Sequence, residues 1–155
     1  MKFLKCITSI LVMILFLMPI TASAYRNEPN GFRDLQWGTN FKTVKNQMVY
    51  DSTSVDGTIK YYNRKNDDLT LVNIKLEYIA YGFSHNQFVR VEIKPLAYVD
   101  QPAKAFKWIE ETYGDYSSAD FNSMIAFWEG QVTNIVFRLP GDEPCIMVLS
   151  STKLQ

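Results

Sequence analysis

Acid–base, nucleophilic and metal chemistry draw on a short set of side chains, and this chain holds few of them. His85 is its single histidine, and its two cysteines are Cys6 and Cys145. A histidine-built metal centre is therefore ruled out, and a Cys–His dyad would require His85 to meet Cys145. The two sit in unlike surroundings. His85 belongs to the polar stretch Ser84-His85-Asn86-Gln87, whereas Cys145 opens the apolar run Cys145-Ile146-Met147-Val148-Leu149. A solvated turn imidazole and a buried, inert thiol are expected, because reactive thiols need electropositive, accessible settings. Adjacent acids occur at Asp67-Asp68, Glu110-Glu111 and Asp142-Glu143. Paired carboxylates could serve glycoside hydrolysis or bind calcium. The turn pairs lack the ligand spacing of a calcium loop, and neighbouring acids on a helix or strand point apart, so solvated acids are the plainer reading. Nucleophile-elbow, zincin, phosphate-loop and dinucleotide-binding patterns do not occur in the sequence. The residues predict no catalytic group, no metal and no cofactor.

Aromatic and arginine side chains remain. Of 22 aromatics only Phe3 and Phe16 fall in the first 24 residues. If Ile74, Leu76, Val89, Val91 and Ile93 face the core, the opposite sheet face presents Tyr62, Ile79, Tyr81 and Phe88. Arg64, Glu77, Arg90 and Glu92 interleave with them. Aromatics mixed with arginine are favoured at protein-binding surfaces. The predicted interaction surface is Tyr62, Arg64, Tyr81, Phe88 and Arg90. The competing reading is ordinary cross-strand pairing on a wet face, at about 0.2–1 kcal/mol per pair.

Local patterns predict the elements that would carry this face. Thr39 can cap a helix in which Phe41, Val44 and Met48 share one side, ending near Met48. Residues 51–57 carry loop chemistry. Strands follow over residues 58–64, 69–83 and 88–94, the last two joined by the four-residue loop 84–87. Their apolar residues alternate with period two, with Ile74, Leu76, Tyr78 and Ala80 on one side. A second helix has Asp100 as N-cap, Pro102 in its first turn and Gly114 past its last; Phe106, Ile109 and Tyr113 align along it. Residues 115–120 form a loop before further strands over 123–128, 131–139 and 145–150. The predicted fold is α+β, an antiparallel sheet with two amphipathic helices on one face in the order α-βββ-α-βββ. Hairpins this short leave no room for parallel crossovers.

Residues 1–24 read as a signal peptide. Lys2 and Lys5 form a positive start, residues 7–20 an apolar core, and Ala22-Ser23-Ala24 a cleavage site placing Tyr25 first in the mature chain. The apolar run is shorter than the ~20 residues of a spanning helix. Residues 25–155 then form a single domain. The whole chain carries 16 basic and 16 acidic residues; without the two leader lysines the balance is 14 against 16. That charge gives no footprint for nucleic acid and no polybasic attraction to a membrane. One cysteine in the mature chain leaves no intrachain disulfide, so packing must supply stability.

The opening Gly31-Phe32-Arg33 … Trp37-Gly38-Thr39 resembles the mature N-termini of a loose, uncharacterised family of small exported bacterial proteins. So do residues 62–69 (Arg64-Lys65-Asn66-Asp67 among them) and the stretch 75–83 ending Tyr81-Gly82-Phe83. These read as turn and hairpin signatures, and the resemblance implies no active site. The helix-then-strands layout is also similar to secreted beta-lactamase-inhibitor-type modules, a likeness of fold alone. Together the residues predict a periplasmic or secreted binding module for an unknown protein or envelope component, with no catalytic motif. Two alternatives stand beside it: a small envelope hydrolase whose carboxylates converge only in the fold, and a structural envelope protein without a discrete ligand.

Overall fold

The computed structural model describes residues 25–97, 100–139 and 144–154; the signal peptide predicted for residues 1–24, with its predicted cleavage position at Ala24, and the Asp142-Glu143 pair lie outside them. After Tyr25 the chain makes a miniature hairpin, β1 (Gly31–Phe32) and β2 (Leu35–Gln36). One helical turn, α1 (Phe41–Val44), runs into a 3-10 turn, Lys45–Gln47. Then come β3 (Met48–Thr53), β4 (Lys60–Arg64), β5 (Thr70–Leu71), β6 (Ile74–Ser84) and β7 (Gln87–Pro95). Helix α2 (Gln101–Tyr113) precedes β8 (Ser118–Asp120), β9 (Ile125–Trp128), β10 (Thr133–Arg138) and β11 (Ile146–Ser151). The main sheet is antiparallel throughout, in the order β3-β4-β6-β7-β11-β10-β9-β8, with β5 pairing β6 at one end.

This is a mainly antiparallel β protein with two short helices, which corrects the α+β arrangement α-βββ-α-βββ. The first predicted helix is the reason. Asn40, not Thr39, caps it, accepting from the Lys42 N–H at 3.0 Å, and it lasts a single turn. Val49, Tyr50, Ser52 and Thr53 beyond it lie in β3, against β4. A helix so short has little cooperative stability, and β-branched and aromatic residues gain more from a pleated ladder. The loop predicted over residues 51–57 therefore shifts to residues 54–59, taking the first two residues of the predicted strand 58–64.

Helix α2 forms where the sequence places it. Gly114 follows at φ 92° and its N–H reaches the Glu110 carbonyl at 2.9 Å. Asp100 departs in detail: its carboxylate binds Lys104 and Gln101 rather than a helix N–H. His85 is exposed in a two-residue turn with Asn86, both at positive φ (49° and 63°), and Ser84 pairs with Gln87; the predicted four-residue loop tightens into a type I′ turn. Cys145 is buried, and burial pushes its thiol up to about 12, so it stays protonated and inert at neutral pH.

One sheet face is covered. Across the strands Tyr62, Tyr81, Val91, Leu149, Ile135 and Trp128 stand directly opposite one another in register. Phe106 of α2 packs on Phe137 and Trp128 at 5.4 and 6.0 Å, and the Trp128 indole donates to the Gly114 carbonyl at 2.8 Å. The N-terminal arm covers the other half of this face. Phe32 meets Tyr81, Trp37 lies on Phe88 at 4.8 Å, and Phe41 contacts Tyr62 and Phe83 at 4.4 and 5.1 Å.

Two β-bulges decide which residues join this core. Between Leu76 and Tyr78 the strand β6 gains a residue relative to β7; between Gly82 and Phe83 the extra residue falls on β7. Each shift reverses the facing of every side chain beyond it. Ile79, Tyr81 and Phe83 therefore turn inward with Ile74 and Leu76, and Phe88 turns inward with Val91 and Ile93. Tyr78 and Ala80, predicted to share a face with Ile74, point the other way.

The β5–β6 hairpin holds local strain. Val72 sits in its tight turn at φ 57°, with its side chain 72% exposed. A β-branched residue is a genuine outlier there and has no packing to offset it. Val72→Gly should raise stability by about 0.5–1 kcal/mol, read as a higher urea midpoint, since relief of strain exceeds the added chain entropy of glycine. A lower midpoint would refute the strain.

Candidate functional site

The five residues of the predicted surface separate in the fold. Tyr81 and Phe88 are both 0% exposed and belong to the core. Tyr62 is half-buried on the same inner face, in a ring cluster with Phe41, Tyr50 and Phe83. Arg64 forks onto the Asp34 carboxylate at 2.5 and 2.8 Å and onto Gln47 at 3.1 and 2.7 Å. Of the five, only Arg90 stands on the outer face of the sheet.

Arg64 belongs to a bracket that joins two motifs of the sequence. Arg33 and Asp34, in the β1–β2 turn, meet the segment between β4 and β5. Arg33 pairs with Asp67 and donates to the Asp68 and Thr70 carbonyls, while the Tyr81 hydroxyl donates to Asp67 at 2.8 Å. Arg64, hydrogen-bonded to Asp34, holds that carboxyl below its usual range. Burial, and then the Asp67 contact, push the Tyr81 phenol far above its own. These charges fasten the N-terminal arm to the sheet. Further along, the Gly38 N–H donates to the Phe88 carbonyl at 2.8 Å and the Phe88 N–H to the Thr39 carbonyl at 2.9 Å.

The outer face is built from two adjoining rows of side chains. One runs Tyr61, Gly82, Arg90, Ser150, Asn134; the other runs Ala80, Glu92, Val148, Val136, Phe127. Gly82 is needed for close approach: a Cβ there would meet Ile59 Cγ2 at 2.9 Å, Tyr61 Cε1 at 3.1 Å and the Arg90 Cβ at 3.2 Å. Without one, the Tyr61 ring lies over the strand and its hydroxyl donates to Glu92 Oε1 at 2.7 Å. Burial first, and then that hydrogen bond, hold the Tyr61 phenol protonated far above its ordinary range, with Arg90 opposing in part. Glu92 is thus oriented by Tyr61, and its nearest approach to Arg90 is 3.8 Å, at Nε. That Nε is buried without a hydrogen bond. Further along the second row, beyond Val148, Val136 and Phe127 are half-buried on β10 and β9.

Against the Arg90 end of the face lies a cavity of about 450 Å³. Its walls come from the β3–β4 loop (Asp56, Thr58, Ile59), the β6–β7 turn (Ser84, His85), β7 (Val89, Arg90), Ser150 and Leu154. Asp56 accepts from Ser54 Oγ at 2.5 Å, Thr58 Oγ1 at 2.9 Å and Thr58 N–H at 3.2 Å, and these bonds, the Ser54 hydroxyl first, lower its carboxyl. Ser84 Oγ lies 3.1 Å from His85 Nδ1. Sequence reading missed Tyr61, Gly82, Phe127 and Val136. One signal was available: an isolated glycine inside a strand pattern marks a bulge or a close approach, and Gly82 provides the close approach opposite the bulge on β7.

Among the described residues no group of three or more His, Cys, Asp or Glu is placed to hold a metal ion, and no helix is long and apolar enough to cross a membrane. Fold and face together define a small antiparallel β-sheet protein with one face packed under an N-terminal arm and a helix and the other bearing a polar–aromatic patch. Comparison with family models, curated proteins and solved structures finds no match.

Proposed function

We propose that this protein is a periplasmic or secreted binding module that engages a protein or envelope component across the outer face of its sheet. The observation supporting the reading is the row Glu92, Val148, Val136 and Phe127 alongside Arg90, in which Val136 and Phe127 keep part of their surface open, on the face opposite the one that α2 and the N-terminal arm cover. Apolar centre, arginine and polar rim are the anatomy of a protein interface. The surface differs from the one predicted from sequence, since Tyr81 and Phe88 leave it and Tyr61, Phe127 and Val136 enter.

The test compares capture from envelope extract by tagged protein carrying Phe127→Glu with Val136→Glu and by a control, Lys107→Glu, at a 75%-exposed side chain of α2. The outer-face variant should lose its partner and the helix variant keep it, with matching circular dichroism for both. Equal capture by the two would remove the proposal. For the hydrolase alternative, Asp34 and Asp67 approach one bracket, but each is occupied by an arginine.

A further inference from the structure

We infer that the cavity beside Arg90 is a binding site for a small apolar monocarboxylate. Arg33 and Arg64 are each gripped by a carboxylate, Asp67 and Asp34, in a structural bracket. Arg90 is built differently. Its side chain is 35% exposed, its Nε is buried without a hydrogen bond, and the nearest carboxylate, Glu92, stands 3.8 Å from that Nε. The Tyr61 hydroxyl holds Glu92 at 2.7 Å, which keeps Glu92 from closing on the guanidinium. With Nε buried, it is the two terminal nitrogens of this guanidinium that form a planar fork suited to two-point recognition of a carboxylate.

The walls select the rest of the ligand. Ile59, Val89 and Leu154 give apolar contact, while Ser84, Ser150 and Thr58 offer hydroxyls. The volume of about 450 Å³ falls within the range of small-molecule sites. Asp56 lines the same cavity and Glu92 stands beside Arg90; their repulsion acts on any anion but weighs more heavily on a dianion such as phosphate, which also lacks an apolar body to offset it against Ile59, Val89 and Leu154. A single negative charge on an apolar body fits both the fork and the walls. The site goes beyond docking of a macromolecule, and its loss would leave capture through Phe127 and Val136 to be judged on its own.

The experiment is titration of the protein with hexanoate, hexanamide and inorganic phosphate, followed through the amide resonances of Ser84, His85, Arg90 and Ser150. Hexanoate should shift all four and saturate. Hexanamide, alike in shape but uncharged, should bind at least about tenfold more weakly, as should hexanoate on Arg90→Gln, since a charge-assisted hydrogen-bond pair is lost in each. Phosphate should leave the resonances in place. The inference is overturned by no hexanoate shift at about 10 mM, by equal binding of hexanamide, by phosphate binding at the same resonances, or by undiminished binding to a folded Arg90→Gln. The acid–amide comparison uses the unaltered protein, so its outcome is independent of how the variant folds.

Discussion

Tyr81→Ala will cost the protein about 3–5 kcal/mol, most of the stability of a domain of this size. The side chain is 0% exposed; its ring meets Phe32 and Phe88, at centroid distances of 6.1 and 5.9 Å, and its hydroxyl binds Asp67. Truncation opens a cavity where β6, β7 and the N-terminal arm converge. It also removes a hydrogen bond from Asp67, which the Arg33 pair alone must then satisfy. Tyr81→Phe keeps the ring and should cost only about 1–2 kcal/mol, the value of a buried hydrogen bond to a charged acceptor. Urea unfolding of both variants checks this. A Tyr81→Ala protein as stable as the parent would mean that the bulge at Leu76/Tyr78 is absent and that Tyr81 faces solvent. A capture assay built on Tyr81 would therefore report unfolding rather than lost contact, which is why the binding test uses Phe127 and Val136.

Glu28→Ala is expected to cost about 2–4 kcal/mol, because it leaves two backbone donors without a partner. Glu28 Oε1 accepts from Val132 N–H at 2.5 Å and from Thr133 N–H at 2.7 Å, and Thr133 is 0% exposed. A side chain at Gly130 would collide with that carboxylate. Around it the arm is tied repeatedly to the same strand: Tyr25 Oη donates to the Thr133 carbonyl at 2.7 Å, Thr133 Oγ1 to the Pro29 carbonyl at 2.5 Å, and the Trp37 indole to Thr133 Oγ1 at 2.6 Å. On the helix side Arg26 caps the Glu110 and Glu111 carbonyls and Asn27 the Thr112 carbonyl. Glu28→Gln retains an acceptor oxygen and should cost clearly less. Hydrogen exchange is the direct readout, with faster exchange at Val132 and Thr133 in Glu28→Ala. Unchanged exchange there would show that the clamp does not form. Residues 25–31 (YRNEPNG) are polar and turn-rich in composition, yet Tyr25 packs against the core and Glu28 and Pro29 bind the strand that closes it.

That contrast generalises to the rest of the chain. Patterns that depend on a few neighbouring residues were legible. Pro102 and Gly114 frame α2 because helix ends are satisfied locally. His85 and Asn86 make a turn because both accept positive φ. Cys145 is buried because it adjoins an apolar strand. The two motifs around Arg33 and Arg64 were visible as separate signatures, but nothing in either announces that Arg33 pairs with Asp67 and Arg64 with Asp34.

By itself the sequence determined the strands β4, β6, β7, β9, β10 and β11, the one substantial helix and the small number of chemistry-bearing side chains, but not β3 or β8, which it read as helix end and loop. Only the tertiary structure decided which way those strands face, and so which residues form the candidate site. The physical reason lies in the period of a strand. A bulge adds one residue relative to a partner strand, and with a period of two it sends every later side chain to the opposite face. Whether it forms depends on packing against Phe32, Trp37 and Phe41, far away in the chain. Tyr81 and Phe88 go inward on that account, and Arg90 is left on the face where a ligand can reach it.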